Sequence, residues 1–242
     1  MNICLFTSDE IVKSLPKNDE RAQHIVKVLH KGRGDSFDAG IIGGPAGKAT
    51  IIDIMPDGEI FFIFEAKSHG KPLYPLTMII GFPRPIQLRR LLRDMAGLGV
   101  SRIILCGTEL TEKSYLDSNV VKDGSAYKML LDGTAQAAST HVPVLEFAPS
   151  LKLALDSVNS KSSLIALDNR RASNSLHEFL QTESAHEVTA AIGSERGWTD
   201  NECDLLKKQG FTLCSMGTRI LRTETAATVA ASLILDSMGV LV

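Results

Sequence analysis

From Leu76 onward the chain repeats one pattern: a short run that is apolar almost throughout, then a stretch with helical periodicity. The apolar runs are LTMIIGF (76–82), SRIILC (101–106), SLIALD (163–168), EVTAAIG (187–193) and FTLCSM (211–216). The helical stretches include 86–97, 125–138, 174–180 and 199–209. A strand with one wet face alternates apolar and polar residues, whereas a strand buried on both faces does not. Runs of this kind, separated by helices, therefore predict an α/β domain with a parallel sheet covered on both faces. Such sheets bind ligands at the carboxyl ends of their strands. The loops that follow the apolar runs are thus the first place to look for function.

The first 70 residues read differently. Strand-like runs within 34–67 are punctuated by Gly43-Gly44-Pro45 and Pro56-Asp57-Gly58, strong turn signals. Short strands at this spacing suggest a small β barrel or sandwich. Residues 20–29 fit one short helix with Ile25, Val26 and Leu29 on one face. The segment SHGKPLYP (68–75) holds two prolines and a glycine and reads as a linker. The expected organisation is a β domain over 1–70 and an α/β domain over 71–242.

Composition excludes more than it identifies. Of 242 residues 44% are hydrophobic and 22% charged, ordinary for a globular chain able to bury a core. The formal net charge of −2 does not advertise a nucleic-acid partner, so any RNA-binding surface must be a local patch. Cys4, Cys106, Cys203 and Cys214 form no CxxC pair and have no histidines at metal spacing. Reduced thiols, a cytosolic compartment and no structural metal are expected. The start MNICLFTSDE lacks the pattern of a signal peptide, and no apolar run reaches the ~18 residues of a membrane-spanning helix. The apolar tail 238–242 would be an odd surface to leave in water, which favours a homodimer.

Two loops carry the chemistry. The first, Ile192-Gly193-Ser194-Glu195-Arg196-Gly197-Trp198-Thr199, follows an apolar strand and opens a helix; Thr199 and Glu202 have capping-box spacing. Its glycines allow close backbone approaches, and it offers amides and a carboxylate at a strand end. It has neither the G-x-G-x-x-G of dinucleotide sites nor a P-loop. By itself it also fits an ordinary strand-to-helix turn. The second loop, from Ser215 to Ala226, follows the last strand and enters an Ala-rich helix with Ala226, Val229, Ala230, Leu233 and Ile234 at helical spacing. Arg219 and Arg222 lie three apart beside the strand end; a solvated pair, or one bridged to Glu224, is the plain alternative to a functional role.

Together these loops resemble the RsmE family of 16S ribosomal RNA uridine-N3 methyltransferases. The family's I-G-P-E-G-G-[FW]-[ST]-x-x-E reads I-G-S-E-R-G-W-T-D-N-E over 192–202. Its L-G-x-R-I-L-R-x-E-T-A reads M-G-T-R-I-L-R-T-E-T-A over 216–226. His24-Ile25-Val26-Lys27-Val28-Leu29-His30 with Gly34-Asp35 is similar to the family's amino-terminal pattern. The sequence departs from the family at Arg84, Asp94, Gly97, Ala135, Ser139, Ser194 and Arg196.

The resemblance implies a SPOUT-type domain, a parallel-sheet α/β fold closed by a trefoil knot, behind a PUA-like β barrel. It implies S-adenosylmethionine as cofactor, ribosomal RNA or the small ribosomal subunit as partner, and a homodimer. Cofactor contacts are then expected from Leu167, Gly193, Ser194, Glu195, Gly197, Met216, Gly217, Ile220, Leu221 and Arg222. Arg222 is the expected stabiliser of charge on the uracil oxygen. Glu195 is expected to orient Arg222 or the substrate, or to accept a proton. RNA contacts are expected from His24, Lys27, Lys31, Arg33, Arg84 and Arg219. Two other readings stay open: a SPOUT methyltransferase with a different RNA target, and an inactive RNA-binding module that keeps the pocket.

Overall fold

The structure, a computed structural model, describes residues 2–116, 118, 120, 123–182 and 186–241. Met1 and Val242, the last residue of the apolar tail, lie outside the described residues. The chain divides into two compact units, Met1–Pro72 with Leu131–Val142, and Leu73–Leu130 with Pro143–Val242.

The first unit is built on a four-stranded sheet: β1 (Cys4–Phe6), β2 (Ser36–Ile41), β3 (Ala46–Ile54) and β4 (Ile60–Ser68), in that order. β1 is parallel to β2, and the other pairs are antiparallel. Phe6, Phe37, Ala39, Ala49, Ile51 and Ile60 are buried together with Ile11, Leu15 and Ile25. The Phe62 ring packs on Phe6 and Phe37 with centroids 5.3 and 5.8 Å apart. One half-buried cation ties the helix α1 (Glu20–Gln23) to this core. The Arg21 guanidinium donates to the Leu5 carbonyl at 2.8 Å, pairs with Asp19 and Glu10, and lies 4.5 Å over the Phe6 ring. The helix expected over 20–29 changes character after Gln23, where His24–Val28 forms a π turn. The wider turn rotates successive side chains differently from 3.6-residue periodicity. Only Ile25 of the expected face is fully buried; Val26 and Leu29 are exposed. Residues 131–142 join this unit through main-chain bonds, the amides of Asn2 and Ile3 donating to Ala135 and Gly43 to Thr140.

The second unit carries a seven-stranded parallel sheet. Its strands are β5 (Tyr74–Gly81), β6 (Val100–Cys106), β7 (Val144–Ala148), β8 (Ser163–Leu167), β9 (Asn174–Ser175), β10 (Val188–Ile192) and β11 (Thr212–Ser215), in the order β7-β6-β5-β10-β8-β11-β9. Its helices are α2 (Pro85–Leu98), α3 (Lys113–Leu116), α4 (Ser125–Gln136, whose last turns belong to the first unit), α5 (Leu151–Leu155), α6 (Leu176–Thr182), α7 (Asp200–Lys208) and α8 (Thr223–Ser237). Register explains why the central strands are apolar on both sides. Ile104, Ile79, Ala191, Ala166 and Leu213 are successive cross-strand partners, and all five lie in one cluster with Trp198, Cys203 and Leu206 and with Leu151 and Leu155. On the other face α2 and α8 pack together, α2 against β6 and α8 against β5 and β10. Helix α2 starts with Pro85 at its first turn and ends on Gly99 in the left-handed region at φ 78°.

The central runs form strands close to their expected limits. The edge strands β7 and β9 and the short β1 are additions. Edge strands bury one face at most, and their residues mix polar with apolar, so no continuous apolar run marks them. β10 is inserted between β5 and β8, so the chain direction across the sheet reverses there.

Candidate active site

At the carboxyl ends of β5 and β10 two main chains touch. A Cβ on Gly81 would lie 2.4 Å from the Ser194 nitrogen, and one on Gly193 would lie 2.8 Å from the Gly197 carbonyl carbon. No other residue fits either position without moving backbone. The loop then closes a tight turn, with the Gly197 amide donating to the Ser194 carbonyl at 2.9 Å. Gly197 sits at φ 77°, where a side chain is strained. Thr199 caps α7 in the reciprocal arrangement its spacing predicted: its hydroxyl accepts from the Glu202 amide, and the Glu202 carboxylate accepts from the Thr199 amide. The other Glu202 oxygen accepts from the Glu109 amide at 2.8 Å, which ties the loop after β6 to the same cap. The Trp198 indole donates to the Leu167 carbonyl at 3.1 Å and pins the turn to the end of β8.

The loop after β8 is organised by Asp168, a buried carboxylate. It accepts from the amides of Arg170 and Arg171, both at 2.7 Å, and from the Arg171 guanidinium at 3.0 Å. Arg171 also pairs with Asp200. The next side chain clamps the third loop: the Asn169 amide donates to the Arg219 carbonyl at 3.2 Å, and its oxygen accepts from the Met216 amide at 3.5 Å. Gly217 bends this third loop at φ 89°.

The three loops enclose a cavity of about 310 Å³. That is within the size range of small-molecule sites. Leu167, Gly193, Ser194, Glu195, Gly197, Met216, Ile220 and Leu221 line it; Gly217 and Arg222 lie outside its lining. Reading by motif missed the whole stretch from Asp168 to Arg171, together with Arg196, Thr223 and Ala226. The usable signal for the first four was position alone, directly after an apolar strand. The Ser194 hydroxyl is buried and has no hydrogen-bond partner among the described residues. An unpaired buried hydroxyl costs about 1–3 kcal/mol, and here it belongs to a residue of the cavity lining.

Charge pairing differs from the expected scheme. Glu195 is engaged by the Arg84 guanidinium at 3.0 Å, not by Arg222. Arg84 stands just beyond β5, and the Gly81 contact brings that strand end against the Glu195 turn. A hydrogen bond with Tyr115 and the charge of Glu195 push the Arg84 guanidinium pKa up. Arg222 is the N-cap residue of α8 in extended conformation, its side chain exposed and bonded to neither Glu195 nor Glu224. The expected RNA contacts fall in both units. His24, Lys27, Lys31 and Arg33 belong to the first, Arg84 and Arg219 to the second. Burial pushes the Cys106 thiol up to about 12 and those of Cys4, Cys203 and Cys214 up to about 11, so none is a ready nucleophile. Among the described residues no group of three or more His, Cys, Asp or Glu is placed to hold a metal ion.

Comparison with known proteins places the chain in a family. The family model described as an RNA methyltransferase domain matches residues 69–235. The chain is 40% identical over 248 residues to ribosomal RNA small subunit methyltransferase E of Treponema pallidum, covering 97% of this chain and 91% of that protein. It is 35% identical over 241 residues to ribosomal RNA small subunit methyltransferase E 1 of Borreliella burgdorferi, covering 98% of each. Among solved structures it superposes with TM-score 0.78 on a ribosomal RNA small subunit methyltransferase E from Neisseria gonorrhoeae bound to S-adenosyl methionine. That likeness covers 98% of this chain and 97% of the other at 21% identity, and it shows a common fold.

Proposed function

Because this chain belongs to the family of ribosomal RNA small subunit methyltransferase E, we propose that it methylates N3 of a uridine in 16S ribosomal RNA, using S-adenosylmethionine. The observation that carries the reading is the convergence of three strand-end loops on one cavity, two of them the segments that match the family motifs. The cavity's walls suit the cofactor: Gly81 and Gly193 let the β5 end and the 193–197 turn pack main chain on main chain, and Ser194 in the lining keeps a buried, unpaired hydroxyl. Leu167, Gly193, Gly197, Met216, Ile220 and Leu221 are the residues whose main chain would hold it.

When bound, S-adenosylmethionine supplies a methyl group activated by a sulfonium. The chain's own residues have three tasks. The Asp168, Asn169 and Trp198 bonds lock the loops, so the reacting groups are held rather than searched for. Arg222, exposed beside the cavity, stabilises negative charge on the uracil oxygen as N3 loses its proton. Glu195, fixed by Arg84, presents a carboxylate at the mouth to orient the base.

The return of the chain supports the knot. β11 lies beyond β8, yet α8 packs on β5 and β10, so residues 216–222 cross back over the strand ends. We take that crossing as the one that closes a SPOUT trefoil knot, and the first unit's sheet as part of a PUA-like barrel. A homodimer acting in the cytoplasm completes the reading. The departure at Asp94 has a structural explanation, because its carboxylate accepts from the Thr228 hydroxyl at 3.1 Å and ties α2 to α8. This favours the family's target over a shifted one. The test is calorimetric titration with S-adenosylmethionine followed by transfer of labelled methyl to undermethylated small subunits. Binding without transfer to any RNA would leave the inactive-module reading instead.

A further inference from the structure

The carboxylates lining the cavity are both answered. Asp168 is turned inward onto two amides and Arg171, and Glu195 is paired with Arg84. Two arginines in the same lining, Arg170 and Arg196, are exposed and make no side-chain hydrogen bond or ion pair to any described residue. They stand on adjacent strand ends: Leu167 and Ile192 are cross-strand partners, and Arg170 and Arg196 follow them by three and four residues. Arg219 and Arg222 on the third loop are also exposed and unpaired. Two uncompensated arginines thus line the cavity and two more stand on a loop that lines it, in a chain whose net charge is −2. This is a local patch and not a general surplus of base.

The cofactor does not account for the patch. S-adenosylmethionine carries a sulfonium and an ammonium against one carboxylate, so its net charge is positive. A crowd of like charges at the mouth disfavours it except at that single carboxylate. A polyanion is favoured by every member, and arginine's planar fork matches phosphate oxygens. We propose that Arg170 and Arg196 bind backbone phosphates of the RNA on either side of the methylated nucleotide, forming with Arg219 and Arg222 a basic rim that holds the strand over the cavity. Arg84, expected from sequence among the RNA contacts, is already engaged by Glu195 and Tyr115. The inference rests on the methyltransferase reading above.

The test is the salt dependence of binding to transcribed 16S ribosomal RNA, wild type against the double variant Arg170→Ala/Arg196→Ala, each with cofactor affinity measured in parallel. Each phosphate contact contributes about 0.7–0.9 to the slope of log K against log salt, so the double variant should lose roughly 1.4–1.8 of it. Its RNA dissociation constant should rise by about tenfold or more near 0.1 M salt, with the cofactor constant within about twofold of wild type. A charge-reversed pair, Arg170→Glu/Arg196→Glu, should weaken RNA binding further. An unchanged slope overturns the proposal. So does a fall in cofactor affinity at unchanged slope, which would assign the arginines to the cofactor carboxylate. If wild type binds and methylates RNA while the slope ignores both substitutions, the rim alone fails. If wild type binds no RNA, the functional reading fails with it.

Discussion

The Ser194 hydroxyl is the sharpest single-atom observation in the site: buried and unpaired, in a residue that lines the cavity. If bound cofactor completes its hydrogen bond, Ser194→Ala should weaken S-adenosylmethionine binding about fivefold, the value of a net ~1 kcal/mol hydrogen bond. The unliganded variant should be no less stable than wild type, because alanine removes an unsatisfied group. Calorimetry and thermal unfolding check both halves. Equal affinity in the variant would show that the hydroxyl serves nothing. Arg222 gives the complementary case. Its side chain holds no part of the loop, so the structure separates a catalytic role from a scaffolding one. Arg222→Ala should lower the single-turnover methyl-transfer rate by roughly 2–4 kcal/mol of barrier, the loss typical of one oxyanion donor. Cofactor affinity and melting temperature should stay near wild type. Lower stability with a normal rate would reverse that assignment.

Among the elements, α1 is anchored electrostatically. The Arg21 hydrogen bond holds the carboxyl groups of both Asp19 and Glu10 below their ordinary values. Groups whose folded pKa is depressed stabilise the fold above their unfolded pKa and lose that contribution as pH falls through the folded value. The stabilisation is therefore full near neutrality and fades below about pH 5. Arg21→Met should cost stability at about pH 7 and much less at about pH 3, read from urea unfolding at both. An equal cost at both would mean that Arg21 acts through packing on Phe6 alone. Legibility also varied by element. The central strands were readable because burial on both faces leaves them apolar, and α7 because Thr199 and Glu202 announce its cap. The π turn after Gln23 was not, since hydrophobic spacing assumes one helical period. β1 is three residues long and gives no period at all.

For the whole molecule, what stayed hidden was whatever depends on distant segments meeting. Nothing local says that residues 131–142 belong with the first unit, or that β10 enters between β5 and β8. The Asn169 clamp and the Arg84–Glu195 pair are of the same kind, because each joins segments that are separate in sequence until the sheet order brings them together. Motif resemblance, not periodicity, reached the site loops. Assembly is a property of this scale too. Leu233 on α8 and Leu241 in the tail leave apolar surface uncovered. A symmetric homodimer that covers it is the expected state, and light scattering that reports a monomer at micromolar concentration would contradict it. The central claim concerns one atom of one base. Small subunits lacking the modification, incubated with the protein and methyl-labelled S-adenosylmethionine, should yield 16S RNA whose digested nucleosides carry the label as 3-methyluridine at a single site. Label on a ribose, on another base or on another ring atom, or no label under conditions where the cofactor binds, would contradict the account.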